Sequence, residues 1–183
     1  MDFIAQGVGI LGMAMNSISY QAKKQRNIIL FQFFGSLFFM VNMFMLGKVM
    51  GGLLNIVGIF RALVYMNKDK LKHIYLLTAL FFALYIASYV ATFTVLGMEA
   101  NSRNLLVEIL PLIGMISTNI SFVMKDARSI RYSVFINSPS WLLYNFLGVP
   151  AIGGILGECF NIISAVTALI RHDLKKEKVK NSQ

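Results

Sequence analysis

Apolar residues run in seven long stretches separated by short polar connections. The stretches are Phe3 to Tyr20, Ile28 to Leu46, Met50 to Met66, Ile74 to Val95, Leu105 to Met124, Tyr132 to Gly148 and Ala151 to Ile170. Most come close to the roughly 20 residues that a helix needs to cross about 30 Å of hydrocarbon; the third and sixth, at about 17, are short. The pattern predicts an all-α integral membrane protein of seven transmembrane helices. So little sequence remains between the stretches that no separate soluble domain fits, and the bundle is expected to be one unit within the bilayer.

Composition gives the same class. With 57% hydrophobic residues, 14% charged residues and a mean hydropathy of +0.67, a water-soluble fold would expose far too much apolar surface. The formal charge of +9 is concentrated on alternate connections and not on one face, which argues against nucleic-acid binding. Lys23, Lys24 and Arg26 follow the first stretch, and Lys68, Lys70 and Lys72 the third. Lys125, Arg128 and Arg131 follow the fifth, and Arg171, Lys175, Lys176, Lys178 and Lys180 the seventh. The other connections hold only Lys48 and Arg103, and Arg61 lies inside a stretch. Basic residues favour the cytoplasmic side, so this bias predicts an external N-terminus and a cytoplasmic C-terminus. The Lys-rich tail reads as a topology-setting stop, with contact to anionic lipid as the alternative.

The start of the chain has neither the basic region nor the small-residue cleavage site of a secretory signal, so the first stretch is expected to be retained. Cys159 is the single cysteine, which rules out an internal disulfide and a cysteine metal site. His73 and His172 flank helix ends, and no His, Cys or carboxylate set has metal-ligand spacing. No glycine-rich phosphate loop with its lysine occurs, so Gly12, Gly35, Gly58 and Gly114 are read as close-packing sites. Neither an enzyme nor a cofactor is expected.

Shifting the chain by about 102 residues lays its first three stretches over its last three. Leu11-Gly12-Met13 falls on Ile113-Gly114-Met115, and Ile18-Ser19-Tyr20 on Ile120-Ser121-Phe122. Lys23 meets Lys125, Arg26 meets Arg128, and Gly51-Gly52 meets Gly153-Gly154. Asn55 pairs with Asn161 after a slip of about one helical turn. The predicted organisation is 3+1+3: a first repeat over residues 1–73, an inverting linker helix and loop over 74–104, a second repeat over 105–172 and a basic tail over 173–183. Parallel repeats of this kind place a solute site near the midplane, where they meet.

The span order, the triplet repeat, Ala5-Gln6-Gly7-Val8-Gly9 and Glu108-Ile109-Leu110-Pro111-Leu112-Ile113-Gly114 resemble the YgjV group of bacterial inner-membrane proteins. The architecture is also similar to that of the SWEET, SemiSWEET and PnuC transporters. That resemblance implies two three-helix bundles that rock around a solute, with Asn55 and Asn161 matching the pocket asparagines of SWEET carriers. It also implies hinge prolines, for which Pro111 and Pro139 stand in the second half. Gly9 and Leu37 occupy the aligned places in the first, where glycine loosens a helix and leucine does not.

Polar residues within apolar stretches point to a lined cavity, because an unsatisfied polar group facing lipid is costly. Gly154, Glu158, Asn161, Ser164 and Ala168 recur at helical spacing on the seventh stretch, and Asn137, Trp141, Tyr144, Asn145 and Gly148 on the sixth. Gln6, Gly9, Asn16 and Tyr20 lie on the first, and Gln32, Ser36 and Asn42 on the second. The candidate binding residues are Asn55, Asn161, Trp141, Asn145, Asn137 and Asn42. Helix packing through small and amide residues is the competing reading for each.

Glu158, deep in the last stretch, needs a partner, water or a proton, and is the candidate for coupling; a hydrogen-bonded structural Glu is the alternative. Glu108 is expected where water reaches it. Arg61 is read as an anchor that snorkels to the cytoplasmic interface, and as a gate second. The expected function is alternating-access transport of a small polar solute, sugar-like or vitamin-like. A non-transporting membrane interaction protein is the alternative, and the sequence leaves both a monomer and a homo-oligomer open.

Overall fold

The computed structural model describes residues 3–124, 126–148 and 150–174. The tail residues Lys175, Lys176, Lys178 and Lys180, together with Lys125, lie outside them. The described residues form seven α-helices and no strand: α1 (Phe3–Ser19), α2 (Gln25–Met45), α3 (Val49–Tyr65), α4 (Ile74–Thr94), α5 (Ser102–Val123), α6 (Ala127–Leu147) and α7 (Ile152–Ala168). A 3₁₀ turn (Lys68–Lys70) follows α3, and a wider π turn (Leu169–Leu174) continues α7. Four helices are long and apolar enough to cross a membrane: α2, α4, α5, and α7 with its π turn.

Two helices start earlier than the apolar pattern predicts. α2 begins at Gln25 and α6 at Ala127, so Arg26, Arg128 and Arg131 lie within helices and not in connections. A hydropathy reading stops at such residues, whereas the backbone does not; at α6 a side-chain cap fixes the earlier start, as one does at α5. Asp126 accepts a hydrogen bond from the Ser129 amide at 2.6 Å, and Asn101 caps α5 through the Asn104 amide at 2.9 Å. These side chains satisfy amides that have no intrahelical partner.

α2 ends with Gly47 at φ 71°. The Lys48 amide then reaches back to the Met43 carbonyl at 2.8 Å and the Gly47 amide to Phe44 at 3.0 Å. This paired closure uses the left-handed conformation that glycine adopts at no steric cost. Its consequence is functional, since it turns the Lys48 side chain into the bundle, where the residue is 5% exposed.

Six helices pack in the cyclic order α1, α2, α3, α5, α6, α7 and back to α1, while α4 lies outside the ring against α3 and α5. α4 is the least buried of the long helices, with Tyr75, Leu76, Leu80, Ile86 and Val90 exposed. Tyr65 and Thr78 hydroxyls tie it to α3 at 2.6 Å, and the Tyr89 hydroxyl donates to the Leu105 carbonyl of α5 at 3.1 Å.

Small residues set the closest approaches within the ring, as expected where packing and not water exclusion drives helix association. A Cβ at Gly153 of α7 would lie 3.1 Å from the Gly9 backbone of α1. Gly12 of α1 carries the Phe39 ring of α2, and Gly114 of α5 carries the Trp141 indole of α6. The second pair repeats the first 102 positions later.

Candidate functional site

The ring encloses a polar cavity to which all six of its helices contribute and α4 does not. α1 supplies Asn16, and Tyr20 follows directly on its last residue. α2 supplies Gln32, Ser36, Phe39 and Met43, and α3 supplies Asn55 and Arg61. Met115 and Thr118 come from α5, Asn137, Trp141 and Asn145 from α6, and Glu158 from α7. Over the positions that a water centre can take, the cavity measures about 50 Å³, room for about four waters.

The helical periods explain the wall. Phe39 and Met43, one turn apart on α2, stand at the repeat positions of Trp141 and Asn145 on α6, so two aromatic rings and their neighbours one turn on face the space from opposite sides. The indole meets Tyr144 edge to face at 5.7 Å between centroids. Asn55 donates to the Gly51 carbonyl of its own helix at 2.8 Å, which leaves its carbonyl oxygen for the cavity. Asn16 and Asn137 each bury an amide oxygen without a partner among the described residues. Such oxygens are costly in a packed interior.

The two charged wall residues have different settings. Glu158 is 6% exposed and accepts from Asn161 Nδ2 at 3.2 Å. Asn161 in turn accepts from the Ser17 hydroxyl at 3.0 Å, so it braces Glu158 from behind and forms no part of the wall. Arg61 is 3% exposed. Its Nη1 donates to the Tyr85 hydroxyl at 3.1 Å and the Met115 carbonyl at 3.3 Å, and the guanidinium lies 4.6 Å from the Phe122 ring centre. The expectation of a snorkelling anchor is therefore corrected: Tyr85, Met115 and Phe122 supply polar and π contacts inside the bundle, so the side chain turns inward.

At the end where α1 finishes, two cations grip helix C-termini. Arg131, 1% exposed, donates to the Tyr20 and Ala22 carbonyls at 3.0 and 2.7 Å and pairs with Asp173 at 2.6 Å. Lys68 donates to the Phe122 carbonyl at 2.8 Å, to that of Met124, and to Gln25 Oε1 at 2.7 Å. Phe122 and Met124 stand 102 residues after Tyr20 and Ala22, so equivalent carbonyls of α1 and α5 are held in equivalent ways. Cations suit these positions, where the helix dipole leaves partial negative charge.

At the other end, Lys48 Nζ donates to Asn145 Oδ1 at 3.1 Å and sits 4.7 Å from the Tyr144 ring centre. Beyond this layer lies a recess of about 310 Å³, bordered by Lys48, Arg103, Glu108 and Tyr144. Glu108 is 7% exposed with Oε2 shielded and unpaired among the described residues, but it borders this recess, in line with the expectation that water reaches it. Lys48 lies in the α2–α3 connection, and burial pushes its amine down to about 8, an effect that Glu108 partly offsets.

Of the sequence candidates, Asn55, Asn137, Trp141, Asn145, Glu158 and Arg61 are brought together at the cavity. Asn42 is elsewhere: fully buried, it donates to the Ala5 carbonyl at 2.7 Å and ties α2 to α1. Pro111 and Pro139 lie within α5 and α6 without lining the space. Phe39, Met43, Met115 and Thr118 escape a search for polar residues. The 102-residue shift would have found the first two as partners of Trp141 and Asn145. Lys48 escaped because a lone lysine in a connection reads as surface. Among the described residues no group of three His, Cys, Asp or Glu side chains is arranged to hold a metal.

No curated protein and no solved structure matches the chain, so the similarity to SWEET and PnuC carriers rests on the sequence pattern alone. A family profile covers almost all of it, and an all-helical, lipid-compatible ring agrees with what that family is described as: the chain belongs to the YgjV family of bacterial inner membrane proteins, whose profile matches residues 3–176.

Proposed function

We propose that this chain is a carrier that moves a small polar solute across the bacterial inner membrane, opening one cavity alternately at its two ends, with no chemical step. The observation that carries the reading is the polar cavity within the ring of six helices, with the Arg131 and Lys68 grips toward one end of the bundle and the Lys48–Asn145 contact toward the other. Equivalent glycine–aromatic pairs and equivalent gripped carbonyls at a spacing of 102 residues support a 3+1+3 organisation. In it α1–α3 and α5–α7 are parallel repeats and α4 is the inverting linker facing lipid.

Seven crossings follow in this reading. α1 and α3, at 17 residues each, span about 26 Å. α6, at 21 residues, owes its polarity to Arg128 and Arg131, to its serines and to the wall residues Asn137 and Asn145. The distribution of basic residues assigns the gripped end to the cytoplasm. Room for about four waters is far below the roughly 300 Å³ of sites for larger ligands, so a sugar or vitamin ring would enter only after the ring of helices widens.

The test is labelling from each side. Cys159 is exposed and is first replaced by alanine. Asn137→Cys in that background, reconstituted in vesicles of known orientation, is then treated with a membrane-impermeant thiol reagent added outside or inside. A carrier is labelled from both sides in separate experiments. A position silent from both sides describes a packed bundle and overturns the proposal.

A further inference from the structure

Among the described residues Arg61 is the only Lys or Arg that lines the central cavity, and its hydrogen bonds to them use only one of its three nitrogens. Nη1 serves Tyr85 and Met115. Nε is fully buried and has no partner among the described residues. Nη2 makes no hydrogen bond there either, yet it is not among the shielded unpaired atoms, so it opens on the space beside Gly58. Nη2 is thus the nitrogen that faces the space, while Nε, its neighbour on the side-on edge whose two parallel N–H groups match the two oxygens of a carboxylate, is shielded in this closed form. No carboxylate of the described residues lies within 4 Å of it. Glu158 stands on another wall, engaged by Asn161. A buried cation with an unused fork costs the bundle stability unless something pairs with it.

We infer that the solute is a small acid whose carboxylate pairs with Arg61 through Nη2, and through Nε as well once the ring of helices widens. This rests on the carrier reading above. A single guanidinium, with Glu158 in the same cavity, suits one negative charge better than the higher charge of a phosphate. Glu158 keeps acceptor capacity beyond the Asn161 bond, which favours a hydroxyl or amino group on the same solute. Space for about four waters sets the size at a few carbons. The Trp141 and Phe39 rings flank the remaining apolar part.

Trp141 is the single tryptophan and lines the cavity, so its emission reports occupancy directly. The detergent-purified chain is titrated with acetate, glycolate, lactate, glycine and alanine. Acetamide, glycolamide and lactamide serve as neutral counterparts, and inorganic phosphate as the competing anion. At least one acid should change the emission saturably, bind at least ten-fold tighter than its amide, and lose at least ten-fold in Arg61→Gln. Arg61→Lys, which keeps the charge and loses the fork, should also weaken binding at least several-fold while melting as a folded protein. It carries the test if Arg61→Gln does not fold.

Acids that bind equally well to the variants overturn the inference, as do amides or phosphate binding in place of acids. If acrylamide quenches Trp141 but no acid binds, the acid assignment fails and the carrier reading stands. If neither acrylamide nor any solute reaches Trp141, both fail together.

Discussion

Trp141 rests directly on Gly114: a Cβ at that glycine would lie 2.9 Å from the indole and 2.8 Å from Asn137 Oδ1. The same relationship holds at Gly12 and Phe39, where the distance is 3.0 Å. Alanine is the better helix former by about 1 kcal/mol, yet the methyl group at position 114 would have to displace a stiff ring and an amide at once. Overpacking of that kind costs about 1–3 kcal/mol. Gly114→Ala should therefore lower the melting temperature and shift Trp141 emission, and Gly12→Ala should do less because only one ring must yield. Unchanged melting and emission in Gly114→Ala would mean that the α5–α6 contact is looser than described.

The Arg131 grip is the strongest polar tie at its end of the ring, because a buried guanidinium satisfies two helix-end carbonyls and a carboxylate. Arg131→Ala removes all three contacts and should destabilise the chain by about 3 kcal/mol, the range for breaking a buried charged network. Asp173 is 15% exposed at its side chain and water replaces part of its contact, so Asp173→Asn should cost about 1 kcal/mol. Denaturation in mixed detergent micelles gives both values, and equal losses would place the stability in the ion pair and not in the carbonyls.

Much of the helical frame is readable because lipid-crossing helices demand long apolar runs, and α4 carries little else. The readings failed where a polar residue has an internal partner. Arg26 and Arg131 hid the first turns of α2 and α6, and Arg61 looked like a surface anchor because sequence spacing does not reveal Tyr85 or Phe122 beside it. The cavity was legible through amides on one helical face, as with Asn137, Trp141 and Asn145 on α6. Asn42 and Asn161 share that signature, yet their partners are the Ala5 carbonyl and Glu158, and only three-dimensional placement separates wall from brace.

Lys48 gives the chain a stability signature in alkaline solution. Burial holds its amine at about 8 in the folded state, against an unfolded value near 10.4. Between those values the unfolded chain binds the extra proton, so stability rises with pH across that window and the burden of the buried charge is fully present below it. Lys48→Met should be more stable than the parent at pH 7 and should lose this rise, as followed by melting temperature from pH 7 to 10.5. The same substitution opens the Lys48–Asn145 contact, so labelling of Asn137→Cys from that end should become faster.

Asn137 and Asn161 separate recognition from support. Asn137 lines the cavity while its Oδ1 is shielded beside Gly114 with no partner among the described residues, so Asn137→Ala should change solute affinity about ten-fold through the lost wall amide while costing little stability, because no protein hydrogen bond to that oxygen is lost. Asn161 stands behind the wall with both amide atoms engaged. Asn161→Ala should lower stability by about 1–2 kcal/mol through the two lost partners, and should slow transport without altering the ranking of solutes. Uptake into vesicles, with affinity and maximal rate measured separately for a bound solute and its nearest analogue, decides between them. A change of solute ranking in Asn161→Ala would move that residue from brace to wall and show that the working cavity extends further into α7 than its resting shape.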